Sequence, residues 1–120
     1  MTISREMALQ AASAAGDKKA DDILIMDLRE ISLIADYFII SSGRSTTQVK
    51  AIADHVEESL TEAGYSLLRR EGYNQARWIL LDYGDIIVHV FLEEVRRFYD
   101  LERLWGDAPV IDSTISGQAT

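Results

Sequence analysis

Cysteine is absent from this 120-residue chain, which excludes a disulfide framework, a thiolate nucleophile and a cysteine-ligated zinc or iron–sulfur site, and permits a reducing compartment. Long apolar runs are missing too. None reaches the roughly 18 residues a spanning helix needs, and Met1 to Gly16 lacks the basic start and apolar core of a signal peptide, so a cytoplasmic protein with no membrane partner is expected. Positive charge is scarce, with 12 Lys and Arg against 20 Asp and Glu, a net charge of −8 and a sequence pI of about 4.6. The deficit is even: residues 1–60 and 61–120 each hold six basic and ten acidic side chains, so neither half is a basic arm. A phosphate backbone would repel such a chain, so direct nucleic-acid binding is not expected and basic proteins are the favoured neighbours. At this length one domain with one modest core is expected, burying roughly two-thirds of the unfolded chain's surface.

What is present reads as alternating helices and strands without an internal repeat. Ser4 can cap a helix to about Ala15, with Met7, Ala11 and Ala14 on a narrow, lightly packing face and Gly16 at its end. Ile23-Leu24-Ile25-Met26 and Tyr37-Phe38-Ile39-Ile40 read as short buried strands. Ser45 stands three before Gln48, the spacing of a capping box, and the helix it opens carries Val49, Ile52, Ala53, Val56 and Leu60 on one stripe before Gly64. Tyr65 to Glu71 predicts another strand, and Gly72-Tyr73-Asn74 a turn. Trp78–Leu81 and Ile86–Phe91 flank Asp82-Tyr83-Gly84-Asp85 and predict an antiparallel hairpin, with Gly84 supplying the positive φ of a tight turn. Both runs are apolar throughout, which predicts strands covered on both faces. The helical spacing of Val95, Phe98, Leu101, Leu104 and Trp105 predicts a last helix from Glu93 to Trp105, closed by Gly106 and Pro109, and Val110 to Thr120 reads as a loose tail.

Several residues could carry chemistry. Ser41-Ser42-Gly43-Arg44-Ser45 links a strand to a helix N-terminus, where anions are favoured, yet it lacks the Lys of a phosphate-binding loop and the repeated glycines of a dinucleotide loop, which favours a plain turn. Asp82 and Asp85 could hold Mg²⁺, with Asp27 and Asp36 at other strand ends, although a same-face pair would be spaced i, i+2 and these two flank a turn. His55 and His89 lie in different elements without ligand spacing, and His89, in an apolar strand, reads as a hydrogen-bonded core or interface imidazole. Trp78, Tyr83, Tyr73 and Trp105 gather around the hairpin and the helix after it, and aromatic anchors are enriched in protein interfaces. Tyr83 at a hairpin tip is expected to be exposed, flanked by Asp82 and Asp85 in a manner that suits a basic protein surface.

Two blocks carry a family resemblance. Ala35-Asp36-Tyr37-Phe38-Ile39-Ile40 with Gly43, Ser45, Gln48-Val49 and Ala51-Ile52-Ala53 resembles the first signature of the ribosomal silencing factors, also called the Iojap family. Trp78-Ile79-Leu80-Leu81-Asp82-Tyr83-Gly84-Asp85, then Val88-His89-Val90, Glu94, Arg96, Tyr99, Leu101-Glu102 and Leu104-Trp105 resemble the second. The resemblance implies a silencing-factor domain over residues 1–108 followed by a C-terminal tail at 109–120. It implies an α/β fold, a mixed sheet of about five strands with flanking helices, similar to nucleotidyltransferases but without catalytic residues, metal or cofactor. It further implies binding to ribosomal protein uL14 on the large subunit, blocked joining of the small subunit when nutrients are scarce, and homodimers off the ribosome. Trp78, Asp82, Tyr83 and Asp85 are the residues expected to meet uL14. The rival readings are a small nucleotidyltransferase using the Gly43 loop with Asp82 and Asp85, and a dimerising adaptor.

Overall fold

A computed structural model describes residues 3–99 and 110–111. Helix α1 (Ile3–Asp17) leads into β1 (Asp21–Asp27) and β2 (Tyr37–Gly43), then α2 (Thr46–Glu62), β3 (Arg69–Glu71), β4 (Trp78–Asp82), β5 (Ile86–Leu92), α3 (Glu93–Tyr99) and β6 (Val110–Ile111). The sheet order is β3-β4-β5-β2-β1-β6. Only β2 and β5 run parallel, joined through the crossover that contains α2, and every other pair is antiparallel. This is the expected mixed sheet with flanking helices, extended by two residues of the C-terminal segment, Val110 and Ile111, which pair with Met26 and Ile25. The strand predicted from Tyr65 forms only over Arg69–Glu71, where it borders β4. The helix predicted to Trp105 is described to Tyr99, and the rest of the predicted span lies outside the described residues.

Both faces of the central strands are apolar because both are covered. On one face Ile25, Tyr37, Ile39, Ile79, Leu81, Val88 and Val90 meet α1 and the Val49-Ile52-Val56-Leu60 stripe of α2. On the other, Met26, Phe38, Ile40, Ile87 and Phe91 pack with Val95 of α3. Burying one such aliphatic side chain contributes about 2 kcal/mol. The expectation that α1 is lightly packed is corrected: Met7, Ala8, Ala11, Ala12, Ala14 and Ala15 are all buried. Their small side chains let α1 approach the sheet and α2 closely, and the Gln10 amide donates to the Ser59 carbonyl at 3.0 Å, tying the two helices together. Ser4 lies inside α1 and is itself buried, so it is not the cap.

The α2 cap forms as the sequence predicts, with one change of partner. The Gln48 N–H donates to Ser45 Oγ at 3.1 Å, while Gln48 Oε1 accepts from the Arg44 N–H at 2.8 Å, one residue before the expected one. The Gln48 side-chain amide then reaches the Lys19 carbonyl at 3.1 Å, which fixes the α2 N-terminus to the turn after α1.

Candidate functional site

The pleat of β4 decides which hairpin side chains can act together. Successive strand residues alternate faces, so Trp78, Leu80 and Asp82 share one face while Ile79 and Leu81 enter the helical face. Tyr83 continues the second series. It is 6% exposed and belongs to the core beneath α1 and α2, which corrects the expectation of an exposed aromatic at the tip. The Tyr83 N–H donates to the Ile86 carbonyl at 3.0 Å, which carries the β4–β5 ladder through Tyr83, so its side chain follows the strand's alternation onto the face of Ile79 and Leu81. Burial, aided by the negative charge of Glu57, pushes the Tyr83 phenol up to about 12. Its hydroxyl has no hydrogen-bond partner among the described residues.

The two carboxylates do lie at the same tip. Gly84, at φ +88°, donates its N–H to Asp82 Oδ1 at 2.8 Å, so Asp82 closes the turn as well as charging it. Asp82 Oδ2 stands 3.7 Å from the Arg69 guanidinium. Asp85 is exposed, and among the described residues only its backbone is engaged: its carbonyl accepts the Asp36 N–H at 2.7 Å and the Tyr37 N–H at 3.3 Å.

Trp78 sits at the opposite end of β4, paired with Phe91. It is half-buried, its ring stacked 4.8 Å from Phe91, and its indole N–H donates to His89 Nδ1 at 3.0 Å. Since Nδ1 accepts, the neutral imidazole carries its proton on Nε2, a buried atom with no hydrogen-bond partner among the described residues. His89 also stands edge-on to Phe38 at 4.6 Å. Burial alone pushes the imidazole down to about 4, as befits the core histidine the sequence predicts.

The four aromatics grouped in the sequence are therefore not one cluster. Trp78 and Tyr83 lie on opposite faces, and Tyr73 leans on α2 with its hydroxyl donating to Asp54 at 2.9 Å. Trp105 lies outside the described residues.

The parts of the rival nucleotidyltransferase site are not brought together either. Gly43 pairs with Leu92 and Tyr37 with Ile86, so the Gly43 loop and the Asp82–Asp85 tip occupy opposite ends of the β2–β5 pair, about 20 Å apart at strand spacing. Three amides of the loop and the first turn of α2 are occupied: Gln48 takes that of Arg44, Ser45 Oγ takes that of Gln48, and the Ser45 carbonyl takes that of Val49. The Arg44 guanidinium pairs with Asp21 at 3.0 Å. Asp27 is held by Arg29 through bonds of 2.9 and 2.6 Å, which keep its carboxyl below the usual range. No group of three Asp, Glu or His side chains among the described residues is placed to hold a metal ion. His55 pairs with Asp17 at 3.1 Å on the helical surface, remote in the fold from His89.

Two features escaped the sequence reading. Arg96 of α3 is 7% exposed and donates to Ser42 Oγ at 2.8 Å, beside an open cleft of about 740 Å³ that Asp22, Leu24, Glu93 and Arg97 also line. An arginine one turn into an amphipathic helix gives no sign that it points inward. The β1–β2 loop exposes Ile31, Leu33 and Ile34, whose signal was visible as aliphatic residues between two strands.

The fold is thus a small mixed α/β sheet domain with two carboxylates, Asp82 and Asp85, at one hairpin tip. Residues 2–120 match the family described as "Ribosomal silencing factor during starvation". The chain belongs to that family, RsfS. It is 50% identical over 102 residues to the ribosomal silencing factor RsfS of Bacillus subtilis, covering 85% of this chain and 86% of that one. The chloroplastic protein Iojap of Zea mays is 34% identical over 88% of this chain, which spans 46% of that longer protein. A crystal structure of a Chromobacterium violaceum protein superposes with a TM-score of 0.85 at 40% identity, covering 88% of each chain. Among the described residues no helix is long and apolar enough to cross a membrane.

Proposed function

We propose that this chain binds ribosomal protein uL14 on the large ribosomal subunit and, by occupying that surface, sterically prevents the small subunit from joining, repressing translation under nutrient limitation. Membership of the silencing-factor family carries the reading. The structure supports it at the hairpin: Asp82 and Asp85 share one tip on a chain of net charge −8, and an acidic projection complements a basic protein while rRNA repels it. Asp82 and Asp85 meet the partner's Lys and Arg side chains, and Trp78, half-buried at the other end of β4, makes a separate contact with uL14. Tyr83 acts from beneath, filling the core so that the turn is held in one shape. No bond is made or broken; occupancy is the mechanism. Residues 1–108 form the acting domain, which works in the cytoplasm and pairs as a homodimer off the ribosome.

The test is co-sedimentation of the purified chain with isolated large subunits, followed by addition of small subunits. Binding that prevents joining is the expected result. A chain that neither pellets with large subunits nor slows joining overturns the reading.

A further inference from the structure

The sheet end that carries the hairpin tip also carries an apolar patch. Segment 28–36 joins β1 to β2 there, tied to the tip by the Asp36 N–H bond to the Asp85 carbonyl at 2.7 Å. The loop is folded on itself: the Ile31 and Ser32 amides donate to the Leu28 carbonyl at 3.1 and 2.9 Å, and the Ile34 amide to Ser32 Oγ at 3.0 Å. Leu28 and Ala35 bury its two ends. Between them Ile31, Leu33 and Ile34 are 44%, 105% and 64% exposed. Leu68 is 68% exposed on the other side of the tip, its amide bonded to the Asp82 carbonyl at 2.8 Å. Single exposed aliphatics are ordinary, but several held side by side at one end of a sheet by an internally bonded loop mark a contact surface.

Charge decides what covers it. Glu30, Asp36 and Asp85 lie around the patch and make no ion pair among the described residues. The nearby cations are engaged, Arg29 with Asp27 and Arg69 with Glu71 and Asp82. A second copy placed on this end by a two-fold axis would set these carboxylates against themselves. Anionic lipid and nucleic acid are repelled in the same way. The complementary occupant is a cationic protein surface with an aliphatic recess.

We propose that Ile31, Leu33 and Ile34 are the apolar anchor of the docking end, seated in such a recess while the carboxylates of the adjoining tip pair around it. This rests on the reading that the hairpin tip docks on a basic ribosomal protein, and adds to it the contact that supplies buried area.

The full chain, a Leu33→Ser/Ile34→Ser double variant and Leu33→Met are compared for co-sedimentation with isolated large subunits, for oligomeric state by analytical ultracentrifugation, and for urea midpoint. The double variant should bind about tenfold more weakly or worse, Leu33→Met close to wild type, with sedimentation and midpoint unchanged. If wild type binds and the double variant binds equally well, the anchor is wrong while the docking reading stands. If wild type does not bind, both fall. A double variant that changes oligomeric state and leaves binding intact assigns the patch to a second copy and overturns the proposal. Should the double variant lower the urea midpoint, Leu33→Ser alone decides on the same criteria, because that side chain makes no buried contact.

Discussion

The Trp78 indole N–H donates to Nδ1 of His89 across the β4–β5 pair at 3.0 Å, and this one bond fixes the imidazole as the neutral Nε2–H form inside the sheet. A pH dependence follows. The folded-state value is pushed down to about 4, against 6.5 for an ordinary histidine, so between those values the unfolded chain binds a proton that the folded chain refuses. Stability from this group is present above pH 6.5 and is lost as pH falls toward 4, by about 3 kcal/mol across the window. Urea unfolding from pH 7.5 downward measures it. His89→Gln keeps an acceptor for the indole but cannot titrate, so its stability should fall less steeply over the same window. Equal slopes for the two proteins would remove His89 as the source.

Tyr83 makes the opposite kind of statement. Its hydroxyl is buried without a hydrogen-bond partner among the described residues, so the phenol oxygen is a desolvated polar group with no compensating bond from them. Removing it should relieve that penalty. Tyr83→Phe is expected to leave stability unchanged or raise it by about 1 kcal/mol, read from thermal or urea unfolding. A loss of more than about 1 kcal/mol would mean the oxygen has a partner in solution.

These two residues also show what the sequence disclosed and what it hid. The capping box at Ser45 and Gln48, the α2 stripe and the hairpin at Gly84 are local, set by spacings of two, three and four residues, and all three form. The opposite placement of Trp78 and Tyr83 was equally legible, since an odd separation along an extended strand changes face. The expectation of an exposed tip overrode that parity. Other features depend on distant partners. The burial of Ala8, Ala11 and Ala15 reflects the close approach of α1 to α2, and the inward turn of Arg96 reflects a Ser42 hydroxyl brought to it by the sheet. Nothing within a few residues of either announces this. The separation of Gly43 from the Asp82–Asp85 tip likewise follows from the parallel register of β2 on β5, a non-local pairing.

Gly72 tests the turn between β3 and β4. It sits at φ +79°, and a Cβ there would fall 2.2 Å from the Trp78 carbonyl oxygen, a backbone atom that cannot step aside without breaking the ladder. Gly84, at φ +88°, has Leu68 Cδ1 at 3.4 Å as the nearest atom to such a Cβ, a flexible side-chain end. Gly84→Ala therefore meets chiefly the backbone strain, about 1 kcal/mol, whereas Gly72→Ala adds a clash and should lose about 3 kcal/mol or more. Urea unfolding of the two variants side by side separates the terms. Equal losses would show that the Gly72 turn can open to admit a methyl group.

The charge of the tip can be removed without removing the tip. Asp82 closes the turn through Oδ1, which accepts from the Gly84 N–H, and an asparagine at that position retains an oxygen to do so. Asp85 holds its neighbours through its backbone alone, so its side chain is free to change. The Asp82→Asn/Asp85→Asn variant should consequently fold with a stability within about 1 kcal/mol of wild type, because the only ion pair given up among the described residues is the long one to Arg69, at 3.7 Å and partly exposed. Binding to large subunits should weaken severalfold at low salt, mainly through slower association, and the difference from wild type should shrink as ionic strength rises and screens the wild-type carboxylates. Association kinetics at two salt concentrations provide the measurement. A variant that associates at the wild-type rate at low salt would place the basic partner on another part of this surface, because no screened or buried interaction at the tip would remain to compensate for two lost charges.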